Sequence, residues 1–145
     1  IEVGLHPDGS LRDRHLWHLP PLAPRLLALR MDAELDFASA SALERRVAEH
    51  LAQHPDVVHL CLLAQPINRI DVTGVETFGQ LHHQLVSRGI TLHISGIKLP
   101  VESTLRRAGE LAEGPYLKLY RTDAEALHAL TQLTPLPDDI AAAAI

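Results

Sequence analysis

The chain has 145 residues, 46% of them hydrophobic and 21% charged, with a formal net charge of -5 at pH 7. These values are typical of one globular domain. Because no dense Lys/Arg run is present to follow a phosphate backbone, nucleic acid is not an expected partner. We assign residues 1–135 to a single domain and the alanine-rich residues 136–145 to a frayed tail. No apolar run reaches the ~18 to 20 residues of a membrane-spanning helix, so the chain as it stands is expected to be soluble.

The first third of the chain predicts two strands separated by a long loop and followed by a helix. Apolar runs at residues 1–6 and 25–31 suit strands, and the prolines between them predict an irregular loop at about residues 9–24. The pair Ser41–Glu44 fits a capping box, so the helix is expected to begin there and to end before Pro55.

The remaining two thirds alternate strands and helices. The most continuous apolar run, residues 57–63, predicts a strand covered on both faces. Asp71 is a suitable helix cap, and Gly89 is suited to the end of the same helix. The later predicted elements are a strand at 90–94, a helix from Leu99 with proline in its first turn, a strand at 116–120 and a helix capped by Thr122.

This order of elements predicts an α/β fold, a small sandwich of about four helices and a mixed, mostly parallel sheet of about five strands. The first two strands are the ones that can pair antiparallel. In such sheets, ligands bind where the carboxyl ends of strands meet helix amino termini. Three segments lie at that edge: residues 37–41, 68–74 and 96–101.

The junction between the central strand and the next helix is the most informative of these segments. Free amides in the first helical turn can hold a phosphate or an acidic side chain, and a threonine hydroxyl there is a possible target of a kinase. The competing interpretation is capping alone, with a glycine that permits close packing. The candidate ligand-binding or phosphorylation edge consists of Asp71, Thr73, Gly74 and Ser39.

The chain offers little support for catalysis or for a metal. His50 and His54 stand one helical turn apart and His82 and His83 are adjacent, but neither pair has the spacing of a zinc site. Nucleophile-elbow and phosphate-loop motifs are absent, and Cys61 lies in an apolar run where a thiol acts as a small hydrophobe. We predict solvated surface histidines, no metal, no cofactor and no catalytic residue. Nucleotide binding stays open, but no motif supports it. A small hydrolase or metal enzyme is the remaining alternative.

The early loop contains two apolar residues that suit an interface. Trp is enriched at protein interfaces, so Leu16 and Trp17 are candidate contacts with a partner. In the other interpretation, Trp17 folds back on the sheet.

At the candidate edge the sequence resembles STAS domains, which occur in bacterial anti-sigma-factor antagonists and at the cytosolic end of SulP transporters. The segment Asp71–Gly74 matches the family's Asp-Ser/Thr-Ser/Thr-Gly motif, and Arg88–Leu92 matches the Arg-Gly and strand that follow. Two stretches resemble the transporter branch: Gly9–Asp13 and Arg30–Ala40. The matched order of elements covers about residues 1–133.

Three positions depart from the family pattern. The antagonists' phosphorylated serine directly follows the motif aspartate, and here that position is Val72. The resemblance therefore does not carry the phosphorylation switch to this chain. The other two changes are mild: Leu11 replaces an aromatic residue and Ser39 replaces an asparagine.

The resemblance implies the C-terminal cytosolic domain of a secondary transporter for sulfate or a related anion, at the cytoplasmic face of the plasma membrane. Its implied role is regulatory, assembly or protein interaction, without chemistry. Implied partners are the transmembrane domain of the same polypeptide, a regulatory protein and a second copy joined through the transporter. The alternative is a free-standing regulator like the antagonists, which predicts a hydroxyl at position 72 and a short first loop.

Overall fold

The computed structural model describes residues 2–30, 34–35 and 37–133, and for residues 34–35 and 37–40 the backbone alone. Within these ranges the chain forms eight strands and four helices. In chain order they are β1 (Val3–Leu5), β2 (Leu11–Asp13), β3 (Leu26–Arg30), β4 (Glu34–Leu35), α1 (Phe37–Gln53), β5 (His59–Leu63), β6 (Arg69–Ile70), α2 (Val72–Ser87), β7 (Thr91–Ser95), α3 (Leu99–Arg107), β8 (Leu117–Tyr120) and α4 (Asp123–Thr131).

A four-stranded parallel sheet in the order β3-β5-β7-β8 forms the centre of the fold. The register aligns one leucine from each strand, and all four are at most 1% exposed. A parallel sheet requires cover on both faces, which explains the near-continuous apolar run of β5. The aligned residues are Leu27, Leu60, Leu92 and Leu117. The predicted α/β fold with a mostly parallel sheet is confirmed.

The two faces of the sheet have different covers. Leu60 and Leu62 of β5 face the core shared with α1, α2 and α3. Cys61 and Leu63, on the opposite face, pack with α4 and with Val3 of β1. Burial raises the pKa of the Cys61 thiol to about 12, so this thiol is a small hydrophobe, as predicted.

The sequence signals predicted for the ends of α2, α3 and α4 are confirmed at Gly89, Pro100 and Thr122. Gly89, with φ 71°, follows α2, and Gly109, with φ 75°, follows α3, because both positions need the left-handed region that glycine enters freely. Pro100 lies in the first turn of α3. The Thr122 hydroxyl accepts from Glu125 N at 3.1 Å, which caps α4.

The first third of the chain differs most from its prediction. The expected irregular loop is wrong at β2, which pairs antiparallel with β1 around a turn that Gly9 enters at φ 90°. The expected start of the first helix at Ser41 is also wrong, because α1 already begins at Phe37. The alanines at positions 38 and 40 favour helix and allow the extra turn. The short parallel pair of β4 and β6 was not predicted.

The fifth expected strand, residues 1–6, is reduced to β1. An isolated antiparallel bridge joins Glu2 to Leu29 of β3, so the first strands are antiparallel neighbours. The predicted domain end at residue 135 and the predicted tail lie outside the described residues and stay predictions. None of the helices in the described part of the chain combines the length and hydrophobicity that a bilayer-spanning segment needs.

Candidate functional site

The predicted edge is assembled where the main sheet's strands end and helices begin. Strand β4 leads into α1, and strand β6 leads into α2. Strands β4 and β6 pair in parallel, with Glu34 opposite Arg69 and Leu35 opposite Ile70. The pairing brings the starts of α1 and α2 side by side. Ser39 therefore lies on this edge by its backbone, in the first turn of α1, while its side chain is outside the described part.

Asp71 caps α2, as predicted. Its backbone is extended (φ -95°, ψ 178°), and its Oδ1 accepts from Gly74 N at 2.7 Å. Gly74 is buried and Thr73 is half-buried beside it. One of the free amides of the first turn is thus already satisfied by the Asp71 carboxylate, so an anion binding here would compete with the cap.

Two large apolar side chains stand in solvent on the same edge. Val72 at the start of α2 is 75% exposed, and Leu99 at the start of α3 is 70% exposed. Lys98 donates from Nζ to Asn68 Oδ1, which links the loop before α3 to the loop before β6. We call Val72, Leu99, Lys98 and Asn68 the apolar edge. Its exposed alkyl groups are suited to contact with another macromolecule.

Beneath the apolar edge lie two buried polar contacts that sequence reasoning missed. The Ser95 hydroxyl, fully buried, donates to Asp123 Oδ1 at 2.6 Å. Glu102 of α3 is 5% exposed and accepts from Arg121 at 2.8 and 2.9 Å and from Arg106 at 3.0 Å. The hydrogen bonds from Arg121, then those from Arg106, hold the pKa of Glu102 below its usual range. The spacing of Glu102 and Arg106 by four residues was the one available sequence signal.

The prediction that the histidines are solvated is wrong for His93. This side chain is 3% exposed, because strand alternation turns it toward the face that α4 covers. Its Nε2 lies 3.1 Å from His59 Nδ1 and its Nδ1 lies 3.0 Å from Tyr120 Oη. Burial, and then the neighbouring His59, lowers the pKa of His93 to about 4. His93 is therefore neutral at pH 7.

A polar cleft of about 340 Å³ lies between the β1–β2 hairpin and α1. The Glu2 carboxylate in it accepts from Arg14 Nη1 at 3.2 Å and lies 2.6 Å from His15 Nε2. The rings of His50 and His54, the predicted helical pair, lie near it with centroids 4.4 Å apart and planes tilted by 31°. No group of three or more His, Cys, Asp or Glu side chains in the described ranges could hold a metal ion. The cleft is made by other elements and does not join the predicted edge.

The structure places Leu16 and Trp17 on the hairpin side of the molecule. Leu16 is 73% exposed and Trp17 is 48% exposed. The Arg12 guanidinium carbon lies 4.4 Å from the centroid of the Trp17 ring, and His6 meets the ring edge-on at 5.2 Å. Trp17 thus folds back on the hairpin and not on the main sheet, and half of its surface stays in solvent.

Known proteins share both the sequence pattern and the fold. The STAS domain family matches residues 21–126. A probable sulfate transporter of Mycobacterium tuberculosis is 33% identical over 89 residues, which are 61% of this chain and 16% of the transporter. This chain thus corresponds to about one sixth of that relative's length.

Two solved structures show the same fold at low identity. The inward-facing murine anion transporter of the solute carrier 26 family, member A9, superposes with a TM-score of 0.71 and 12% identity, over 91% of this chain and 22% of the transporter. A protein of Thermotoga maritima described as a putative anti-sigma factor antagonist superposes with a TM-score of 0.63 and 16% identity, over 83% of this chain and 100% of that protein. Since the family match covers most of the chain, this protein belongs to the STAS domain family.

Proposed function

We propose that this chain is the cytosolic, C-terminal STAS domain of a SulP-type secondary transporter for sulfate or a related anion. The identity with a probable sulfate transporter supports this proposal. Under this proposal, the domain lies at the cytoplasmic face of the plasma membrane as part of an integral membrane protein. It performs no chemistry and acts in regulation, assembly or protein interaction.

The observation that carries the proposal is the side chain at position 72. By the resemblance to the STAS motif, Val72 stands at the position that would hold the antagonists' phosphorylated serine, and it is 75% exposed. An isopropyl group cannot accept a phosphoryl group, but it can be buried in a contact. Leu99, at the start of α3, is exposed as well, so the apolar edge is suited to docking rather than to a phosphorylation switch.

The proposed partner of the apolar edge is the transmembrane domain of the same polypeptide. A regulatory protein, or a second copy joined through the transporter, would be recognised by the same exposed alkyl groups. Asp71, Gly74 and Ser39 shape this edge through the starts of α1 and α2. Thr73 remains the only motif hydroxyl, so any phosphorylation of the motif would occur there.

A free-standing regulator like the anti-sigma factor antagonists is the second candidate. The superposition with the Thermotoga maritima protein favours this candidate, because the fold covers 100% of that solved chain. It would require a hydroxyl at the switch position, and the only neighbour that has one is Thr73, which is half-buried. Kinase labelling of Thr73 would therefore be its first test.

The experiment that separates the candidates is anion uptake by cells expressing the complete reading frame that contains this chain. Val72→Asp places a charge on the apolar edge and is expected to lower sulfate uptake several-fold. The matched control is Val86→Asp, at the other end of α2, where the side chain is 38% exposed. Transporter abundance in the membrane is measured for both variants, which distinguishes an assembly role from a regulatory one.

Two results would contradict the proposal. A reading frame without membrane spans would move the chain to the free-standing regulators. Equal uptake and equal abundance for Val72→Asp and Val86→Asp would show that the apolar edge has no role in transport or assembly.

A further inference from the structure

Two histidines from neighbouring strands face each other on the side of the sheet that α4 covers. His59 begins β5, and its side chain points to the same face as Cys61, two positions later. Its Nδ1 lies 3.1 Å from Nε2 of His93 in β7, and the ring centroids are 5.2 Å apart. We call His59 and His93 the histidine pair. The two residues are 34 positions apart in the chain, so no local spacing predicted their contact.

The separation of the two nitrogens is close to that of two ligands on one metal ion. Zn²⁺ binds imidazole nitrogen at about 2.0 to 2.1 Å, so two ligands at the tetrahedral angle have nitrogens about 3.3 to 3.4 Å apart. Two adjacent ligands of a square-planar Cu²⁺ ion, at a similar bond length, are about 2.9 Å apart. The 3.1 Å of the histidine pair lies between these values. An ion sits to one side of the line that joins the nitrogens, so a small rotation of both rings admits it.

A contact behind His93 orients its ring for this role. His93 Nδ1 lies 3.0 Å from Tyr120 Oη, and the two rings are nearly parallel at 14°. In the tautomer that donates Nδ1–H to Tyr120, His93 Nε2 keeps its lone pair and directs it toward His59. Histidine ligands almost always donate their second ring N–H in this way, which fixes the tautomer and the ring orientation.

The histidine pair is also in the protonation state that a metal ion needs. Burial, the largest cause for both residues, lowers the pKa of His59 and of His93 below the ordinary value of 6.5. Metal ions bind neutral imidazole, so at neutral pH no proton has to leave the pair. On binding, His59 gives up its hydrogen bond to His93, and its single N–H moves from Nδ1 to Nε2 through solvent. His59 is half-buried, which leaves a path from solvent to the pair.

One positive charge lies near the histidine pair. Lys118 is opposite His93 in the register of β7 and β8, and its side chain is exposed. Water solvates this ammonium group and screens its repulsion of a cation. Two protein ligands make an open site, in which water fills the remaining coordination positions.

We propose that His59 and His93 bind one divalent transition-metal ion of the class that prefers imidazole, such as Zn²⁺ or Cu²⁺, with water completing the coordination. The bound ion ties β5 to β7 and stabilises the folded domain. The inference goes beyond the proposed function and does not depend on it, because the apolar edge consists of other residues at the starts of α2 and α3.

Zinc binding by the complete chain tests the proposal. The protein is first freed of metal with a chelator, and zinc chloride is then added near neutral pH in a buffer that does not bind zinc. In nuclear magnetic resonance spectra, we expect the ring signals of His59 and His93 to move together until they saturate. The midpoint of thermal unfolding should rise over the same range of zinc concentration.

A variant separates metal binding from the hydrogen bond alone. His59→Gln keeps an amide that can donate to His93 Nε2 but removes the imidazole ligand. Loss of an outer-shell partner costs about 10- to 100-fold in metal affinity, so loss of a ligand should weaken zinc binding at His93 at least as much. The matched control is His54→Gln, which breaks the pair on α1 whose ring centroids are 4.4 Å apart and should leave the His93 response unchanged. Circular dichroism verifies that both variants fold.

Unmoved His59 and His93 signals at high zinc concentration would overturn the proposal. Equal zinc affinity at His93 in the parent and in His59→Gln would do the same. A response confined to His50 and His54 would assign zinc to the pair on α1 instead. None of these results bears on uptake by the Val72→Asp transporter, so failure of this inference is distinguishable from failure of the proposed function.

Discussion

The pH dependence of stability provides a sharp test of the buried side of the sheet. His93 is 3% exposed and both of its ring nitrogens are within hydrogen-bond distance of partners, His59 and Tyr120. Replacement by phenylalanine keeps a planar ring of similar size in the site but removes the titrating group. Because His59 and Tyr120 are half-buried, both can turn their polar atoms toward water in the variant.

The direction of the His93 pKa shift determines whether the protein gains or loses stability as pH falls. The pKa of His93 is lowered from 6.5 to about 4, so between those values the unfolded chain binds a proton that the folded chain does not. The neutral imidazole therefore contributes stability that is complete above pH 6.5 and is lost as pH falls toward 4. The shift corresponds to about 3 kcal/mol over that window.

The assay is chemical denaturation followed by circular dichroism, repeated at several pH values from about 7 to about 4. At pH 7, we expect His93→Phe to be about 1 to 2 kcal/mol less stable than the parent, because two hydrogen bonds are lost. On acidification the parent should lose about 3 kcal/mol more than the variant does. The two curves should therefore converge and then cross.

A matched control replaces the exposed His128 of α4 by phenylalanine, which changes a surface ring without touching the buried one. Parallel curves for the parent and His93→Phe across the whole window would refute the reasoning. That result would mean that His93 takes up its proton in the folded state as easily as in the unfolded chain.

Three further predictions concern stability and reactivity. Asp71→Ala removes the cap of α2 and should lower the free energy of unfolding by about 1 kcal/mol, while Asp71→Asn, which keeps an acceptor, should lose much less. Glu102→Gln should cost about 1 to 2 kcal/mol at pH 7, because it weakens two arginine contacts, of which the Arg121 side is exposed. The pKa of Glu102 is lowered in the folded protein, so this loss should shrink as pH falls below 4.5, where the unfolded parent chain takes up a proton. Urea denaturation measures both, because guanidinium chloride would itself screen the arginine contacts. Cys61 should react with a thiol reagent only as fast as the chain unfolds, and rapid stoichiometric labelling of the folded protein would contradict its burial.

The sequence by itself determined those features whose signals are local. The apolar run of β5, the cap at Asp71 and the glycine at position 89 define a buried strand and the helix after it, since each signal acts within a few residues of its effect. The alternation of strands and helices then determined the parallel sheet, because parallel strands need crossover connections. The Asp71 and Gly74 part of the candidate edge follows from the same local chemistry.

Only the tertiary structure decided which distant groups meet. His93 finds its partners 34 and 27 positions away, and Glu102 meets Arg121 across 19 positions. The tertiary structure also decided which apolar residues stay in solvent. Other elements cover most of them, but not Val72, Leu99, Leu16 and Trp17. No periodicity distinguishes these cases, because burial depends on the relative placement of whole elements, and that placement is set by the packing of the complete sheet.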